Sequence, residues 1–240
     1  MSNPTGRPVA QGAYDELAAG YDREGDTKPS NAYLERPATC SLLPDLEGAR
    51  VLDAGCGAGH LAAELRTRGA TAVCLDASRE MLAYARERIP AADVLQADLG
   101  SGFPVADDAF DGVASSLAFH YVEDWTPLFQ ELRRVLRPGG WLVFSVQHPH
   151  ADFEEYAEAE NYHERELVSA VWDSFGTEVT VPAYRRPLSA MVSPALEAGF
   201  RLDRLLEPTP TDAYCEANPE RYEYEATRPN FLCFRFFAPA

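Results

Sequence analysis

The run Arg50-Val51-Leu52-Asp53-Ala54-Gly55-Cys56-Gly57-Ala58-Gly59-His60-Leu61 constrains this chain more than any other stretch. An apolar segment enters a turn with glycine at every second position, and a helical pattern leaves it. Glycine admits the left-handed backbone and lets a ligand approach the main chain closely. The free N–H groups at the start of the following helix favour polar or anionic ligand groups. Nicotinamide and flavin enzymes also use glycine loops, with the spacing G-x-G-x-x-G. Here the third glycine of that spacing would fall on His60, and the pattern is D-x-G-x-G-x-G instead. Asp53, two residues before Gly55, would face the charges of a pyrophosphate. It suits a cationic ligand, such as the ammonium group of an amino acid, reached directly or through water.

Two further acids follow in register. The next apolar run, Ala72-Val73-Cys74-Leu75, closes on Asp76-Ala77-Ser78. An acid about 20 residues past the loop, at the carboxyl end of the second strand, can accept both hydroxyls of a ribose. Capping of the next helix is the other reading, but Ser78 can fill that role by itself. The third run ends Leu95-Gln96-Ala97-Asp98-Leu99. A carboxylate there can accept an adenine amino group while the Leu99 backbone reads the ring edge. Taken alone, a strand-ending aspartate is more often a turn residue.

Strands are expected over 50–54, 71–75, 94–97, 111–115 and 141–146, and helices over 61–68, 79–88 and 127–136. In the last helix Leu128, Leu132, Val135 and Leu136 recur at helical spacing, and Pro138-Gly139-Gly140 stops it. This alternation predicts an α/β fold with a parallel sheet and right-handed crossovers. A helix over 188–198 and strands over 201–206 and 231–237 follow. The link between those strands is too loose for another helical crossover, and they suit an antiparallel end to the sheet. One domain is expected: 1–48 as a helical cover, amphipathic around Tyr14 to Tyr21 with a helix near 32–43; 49–147 as the core; 148–187 as an insert; and 188–240 as the final helix and strands. The insert, rich in Glu, Tyr and His, is of the kind that forms lids and substrate walls.

The formal charge is −17, and Lys28 is the only lysine. Such a surface repels phosphate backbones and disfavours a nucleic-acid substrate. No run approaches the roughly 20 apolar residues of a membrane-spanning helix. The segment from Met1 to Gln11 lacks the apolar run and basic leader of a secretory signal, so a cytoplasmic location is expected. Cys40, Cys56, Cys74, Cys215 and Cys233 are scattered without a C-x-x-C pair, which signals neither a disulfide framework nor a zinc site. No His/Asp/Glu cluster has metal-ligand spacing, so no metal is expected. Monomer and homodimer both remain open.

Together, Val51-Leu52-Asp53-Ala54-Gly55-Cys56-Gly57-Ala58-Gly59, Asp76, Ala97-Asp98, Phe110-Asp111 and Leu136-Arg137-Pro138-Gly139-Gly140 resemble a class I S-adenosylmethionine-dependent methyltransferase. The nearest branch is the small-molecule group that includes ubiquinone/menaquinone-biosynthesis methyltransferases. The resemblance covers 12–147 well and the last strands loosely. It implies S-adenosylmethionine as cofactor and a Rossmann-like, seven-stranded, mostly parallel sheet of order 3-2-1-4-5-7-6, helices on both faces, its seventh strand antiparallel. It implies that Gly55, Gly57 and Gly59 border the methionine moiety, with Cys56 among them in the cofactor site. Ala77, Met81 and Leu99 belong with Asp76 and Asp98 in the implied cofactor site, as do Ser115 and Ser116. Tyr14-Asp15 and Tyr21-Asp22 are similar to the family's Y-D-x-x-A-x-x-Y-D element, whose tyrosines close over the cofactor. Arg36, in Asn31-Ala32-Tyr33-Leu34-Glu35-Arg36-Pro37, belongs to the same cover and can pair with the methionine carboxylate or serve the helix structurally.

A sulfonium is already a strong methyl donor, so the protein's main tasks are placement and exclusion of water. A base is needed only where the nucleophile must lose a proton early. His120, in a segment that should run past the sulfonium, and His148, after the fifth strand, are the candidates; both are also readable as packing residues. Tyr156, Tyr162, His163, Trp172 and Tyr184 can wall an acceptor pocket for a flat or apolar molecule. Arg185 and Arg186 can meet an acidic group on the acceptor or lie on the surface. The expected function is methyl transfer to an O, N or C atom of a small molecule. The alternatives are a non-catalytic binder of the cofactor or its product, a protein methyltransferase, and a nicotinamide-dependent oxidoreductase. His60 and Asp53 speak against the last.

Overall fold

In the computed structural model, which describes residues 7–239, helices cover the glycine strand from above. Helix α1 (Gln11–Glu24) is followed by one π-helical turn, Asn31–Glu35, which runs straight into α2 (Arg36–Ser41). The core then alternates as the sequence predicts: β1 (Arg50–Ala54), α3 (His60–Thr67), β2 (Thr71–Asp76), α4 (Arg79–Arg88), β3 (Asp93–Gln96), β4 (Phe110–Ser116), α5 (Trp125–Val135) and β5 (Leu136–Gln147). Next come α6 (Pro149–Glu155), β6 (Glu166–Trp172), β7 (Val179–Arg185), α7 (Leu188–Glu197), β8 (Arg201–Leu206), α8 (Asp212–Ala217), α9 (Pro219–Thr227) and β9 (Phe231–Phe237).

The seven-stranded sheet runs β3-β2-β1-β4-β5-β9-β8. Counting its own strands alone, that is the expected 3-2-1-4-5-7-6. The first five are parallel, and β9 is antiparallel to both β5 and β8. Helices cover both faces, so the central strands are near-continuous apolar runs rather than alternating ones. One face carries Leu52, Val73, Leu75, Val113, Phe144 and Phe234 against Leu128, Phe129, Leu132 and Val135 of α5. The other carries Val51, Ala114, Val143 and Cys233 against α2 and α3. Each large side chain buried this way stabilises the fold by about 1.5–3 kcal/mol.

The structure adds to expectation or departs from it at α5, in the β8–β9 link and in the insert. Helix α5 begins earlier because the Asp124 side chain accepts the Thr126 N–H and caps it. It ends at Val135, and Pro138-Gly139-Gly140 lies within β5, where Gly139 takes φ +80° at a register shift against β4. The link between β8 and β9, two strands that pair antiparallel as expected, holds two short helices; Thr211 caps α8 and Pro219 opens α9. The insert builds α6 and a separate hairpin of β6 and β7, for which no sequence pattern was evident. A two-stranded hairpin is marginal by itself. This one packs Phe175, Val179 and Val181 on Ala10 and Leu17 of α1 and the segment before it. No helix among the described residues is long and apolar enough to cross a membrane.

Candidate functional site

A cavity of about 930 Å³, counting its open mouth, lies at the carboxyl edge of the sheet. It sits where strand order reverses between β1 and β4, the place where open α/β sheets bind ligands. The strand order lays out its floor. Asp98 and Leu99 follow β3, Asp76 and Ala77 close β2, Asp53, Gly55, Cys56 and Gly57 come from β1, and Ser116 to Ala118 close β4. Gln11, Tyr14 and Tyr21 of α1 form the roof with Asn31, Glu35 and Arg36.

The acids differ in how they are held. Asp76 accepts the Gly57 N–H at 2.9 Å on Oδ2 and the Ser78 N–H at 2.8 Å on Oδ1. One amide fixes each oxygen, and burial outweighs these bonds and raises the carboxyl. Asp53 is 1% exposed, and neither oxygen completes a hydrogen bond. Burial, then the Asp76 charge, pushes it up to about 8, against a weak pull from the Ala62 N–H. A buried carboxylate without a donor is costly, and a cationic ligand group or bridging donor would relieve it. Asp98 accepts the Gly100 N–H at 2.9 Å, so it shapes a turn as well as lining the cavity.

The glycines earn their positions sterically. Gly55 has φ +81°, and a Cβ there would stand 2.3 Å from Ala118 Cβ. Gly57 has φ +52°, with Tyr21 the nearest neighbour of such a Cβ. Gly59, at φ +84°, packs α3 against Ala85 and Ile89 and does not line the cavity.

The roof is latched. The Tyr14 and Tyr121 hydroxyls are 2.7 Å apart, and the Ser78 hydroxyl donates to Asp15 at 2.5 Å. Asp26, just past α1, accepts Arg36 at 2.9 Å and Arg88 at 2.8 Å, and Arg88 reaches Asp22 at 2.6 Å. Burial pushes Asp26 up, but His60, Arg36 and Arg88 together hold it below its usual value. His60 Nδ1 approaches Asp26 to 2.7 Å without the alignment of a hydrogen bond.

Several expected residues stand elsewhere. Met81 is buried under Ala18 and Ala58 and gives its N–H to Ser78; Ser115 donates to the Ala54 carbonyl at 2.6 Å inside the sheet. His120 does not line the cavity; burial, then Arg186, lowers its conjugate acid to about 3, far below the range a general base needs near neutral pH. His148 caps α6 through Nδ1 and meets Glu207 at 3.0 Å through Nε2, also away from the cavity. The Arg185 side chain is fully buried, engaged by Glu166 and the carbonyls of Asn161, Tyr162 and Glu164, and does not line the cavity. Trp172 packs edge-on against Tyr14, 6.2 Å between centroids. Tyr156 is buried beside Asp152, off the cavity wall.

Sequence reasoning gave no individual role to Glu35, Gln11, Asn31, His60 or Tyr121, all of which line the cavity; it placed Asn31 and Glu35 only within a segment of the cover, and Tyr121 only within the segment expected past the sulfonium. Glu35 is 1% exposed and accepts hydroxyls from Thr39 at 2.7 Å, Ser116 at 2.9 Å and Ser145. An acid beside an arginine on a helix has the signature of a surface residue. Only its tertiary partners on β4 and β5 bury it.

A family model described as a methyltransferase domain matches residues 52–144. The malonyl-[acyl-carrier protein] O-methyltransferase of Pectobacterium atrosepticum is 38% identical over 58% of this chain and 52% of its own length. That of Enterobacter lignolyticus is 36% identical over 60% and 55%. The chain thus spans about half the length of the curated relatives it matches. The solved structure of an S-adenosylmethionine-dependent methyltransferase from Mesorhizobium loti is 30% identical, with a TM-score of 0.69, covering 88% of this chain and 99% of that one.

Proposed function

The chain belongs to the class I S-adenosylmethionine-dependent methyltransferases, and from that premise we propose that it methylates an O, N or C atom of a small molecule. The observation that carries this reading is the orphaned, buried Asp53 carboxylate in the same cavity as the glycine turn and the amide-fixed Asp76. When bound, S-adenosylmethionine supplies an activated methyl group. The residues lining the cavity fit it. Asp53 meets the ammonium, Asp76 turns its remaining lone pairs to the ribose hydroxyls, and Asp98 with Leu99 meets the adenine. Arg36, held on one edge by Asp26 and the Gly25 carbonyl, keeps further donors for the methionine carboxylate. Tyr14 and Tyr21, backed by the β6–β7 hairpin, exclude water from the reacting end.

In this proposal residues 1–240 act as one unit in the cytoplasm, on a small acceptor and without a nucleic-acid partner. Calorimetry tests it. S-adenosylhomocysteine should bind the wild-type protein, and Asp76→Ala should weaken it by about tenfold or more, from the loss of hydrogen bonds to a charged group. Labelled methyl from S-adenosylmethionine should appear on a small molecule in a cell extract. Wild-type affinity retained in Asp76→Ala would end the reading.

A further inference from the structure

Behind the cavity wall formed by Tyr121 and Val122 stands a buried polar cluster that cofactor binding leaves unused. Arg186, the residue after β7, is 2% exposed. Its Nη2 donates to the Val122 carbonyl at 2.5 Å, and its guanidinium lies 4.3 Å from the centroid of the Trp125 ring. Its Nε meets no acceptor, and Asp124 and Asp152 act on it only at longer range. His120, 5% exposed, keeps an unpaired Nδ1 and feels the Arg186 charge. Asp152 of α6 is 4% exposed and pushed up to about 7 by burial. Tyr121 joins the two regions: it lines the cavity, and its ring centroid is 4.2 Å from that of His120.

Arg185 provides the contrast. It is equally buried, yet a carboxylate and three carbonyls satisfy it, as a purely structural arginine requires. Arg186 has one carbonyl and an aromatic face. A guanidinium taken out of water without a counter-anion is expensive, and burial lowers its pKa to about 9 accordingly. The missing element is an anion with two acceptor oxygens in a plane, the geometry a guanidinium fork matches best.

We propose that Arg186, with His120 beside it, forms the anion-binding end of the acceptor site and takes a carboxylate group of the methyl acceptor. This rests on the methyl-transfer reading above and narrows its substrate to acidic small molecules. The aromatic neighbours Tyr121, Trp125 and Tyr156 lower the local dielectric and strengthen the pair.

The probes are benzoate and succinate, with benzamide and succinamide as uncharged counterparts, titrated into protein saturated with S-adenosylhomocysteine. At least one acid should bind at millimolar concentration and its amide should not. Arg186→Gln should weaken that acid by about thirtyfold or more, as for removal of one partner from a buried charge pair. Arg186→Lys should retain part of the affinity, and S-adenosylhomocysteine binding should be unchanged in both. Equal binding of acid and amide, binding of neither acid, or an Arg186→Gln protein that holds the acid as wild type does would overturn the proposal. Should Arg186→Gln fail to fold, His120→Gln, which keeps the guanidinium, is expected to weaken the acid severalfold; an unchanged affinity there overturns it equally. Absence of S-adenosylhomocysteine binding in the wild type would instead sink the cofactor reading, and the first titration reports that separately.

Discussion

The Asp53 carboxyl titrates near 8 because it is buried beside Asp76 without a donor of its own. The folded protein therefore keeps a proton that the unfolded chain releases near the usual aspartate value, so this residue's stabilising contribution is full below about pH 4 and is lost as pH rises to about 8. A cationic group placed against it reverses the preference and expels the proton. Calorimetry of S-adenosylhomocysteine binding near neutral pH, run in two buffers of different ionisation enthalpy, should report proton release. Asp53→Asn should remove most of it; identical release in the two proteins would take Asp53 out of ligand contact. Its place in the cavity was legible in the sequence, since it lies two positions before a glycine turn at the end of an apolar strand. Glu35 was not, because nothing local marks it apart from other helical acids.

At the scale of elements, the hairpin of β6 and β7 and helix α1 form one closure. A methyl group at Gly20 would stand 1.9 Å from the Phe175 carbonyl oxygen, in backbone that cannot yield as a flexible side chain would. Gly20→Ala should lift the hairpin turn from α1, with a stability loss of about 1–3 kcal/mol in thermal melts. It should also open a new proteolytic cut within 173–178, absent in the wild type. An unchanged melt and cleavage pattern would mean that the turn is held from elsewhere. The core strands and helices were legible to within a few residues because each carries its own periodicity and its own glycine, proline or aspartate boundary. The hairpin was not, because its register depends on Phe175 and Val181 finding Leu17, far away in the chain.

Over the whole molecule, a charge of −17 surrounds a cavity floored by acids. S-adenosylmethionine carries one more positive charge than its demethylated product. Its association rate in stopped-flow fluorescence should therefore fall severalfold between low and physiological salt, while that of S-adenosylhomocysteine changes little. Parallel salt dependences would show that the acidic surface does not steer the cofactor. The α/β alternation, the glycine turn and the acids at the ends of the first three strands can be read from the order of residues along the chain. Those features obey short-range rules: backbone conformation at glycine, periodic burial, and the carboxyl end of a strand as a ligand edge. Tertiary structure alone decided which side chains share the space above that edge. It buried Glu35 among the hydroxyls of β4 and β5, spent Arg185 on the insert's own carbonyls, and left its neighbour Arg186 without a direct ion pair. Two adjacent arginines are indistinguishable as letters. They part only when strand direction and packing turn one toward a carboxylate and the other toward a cavity wall.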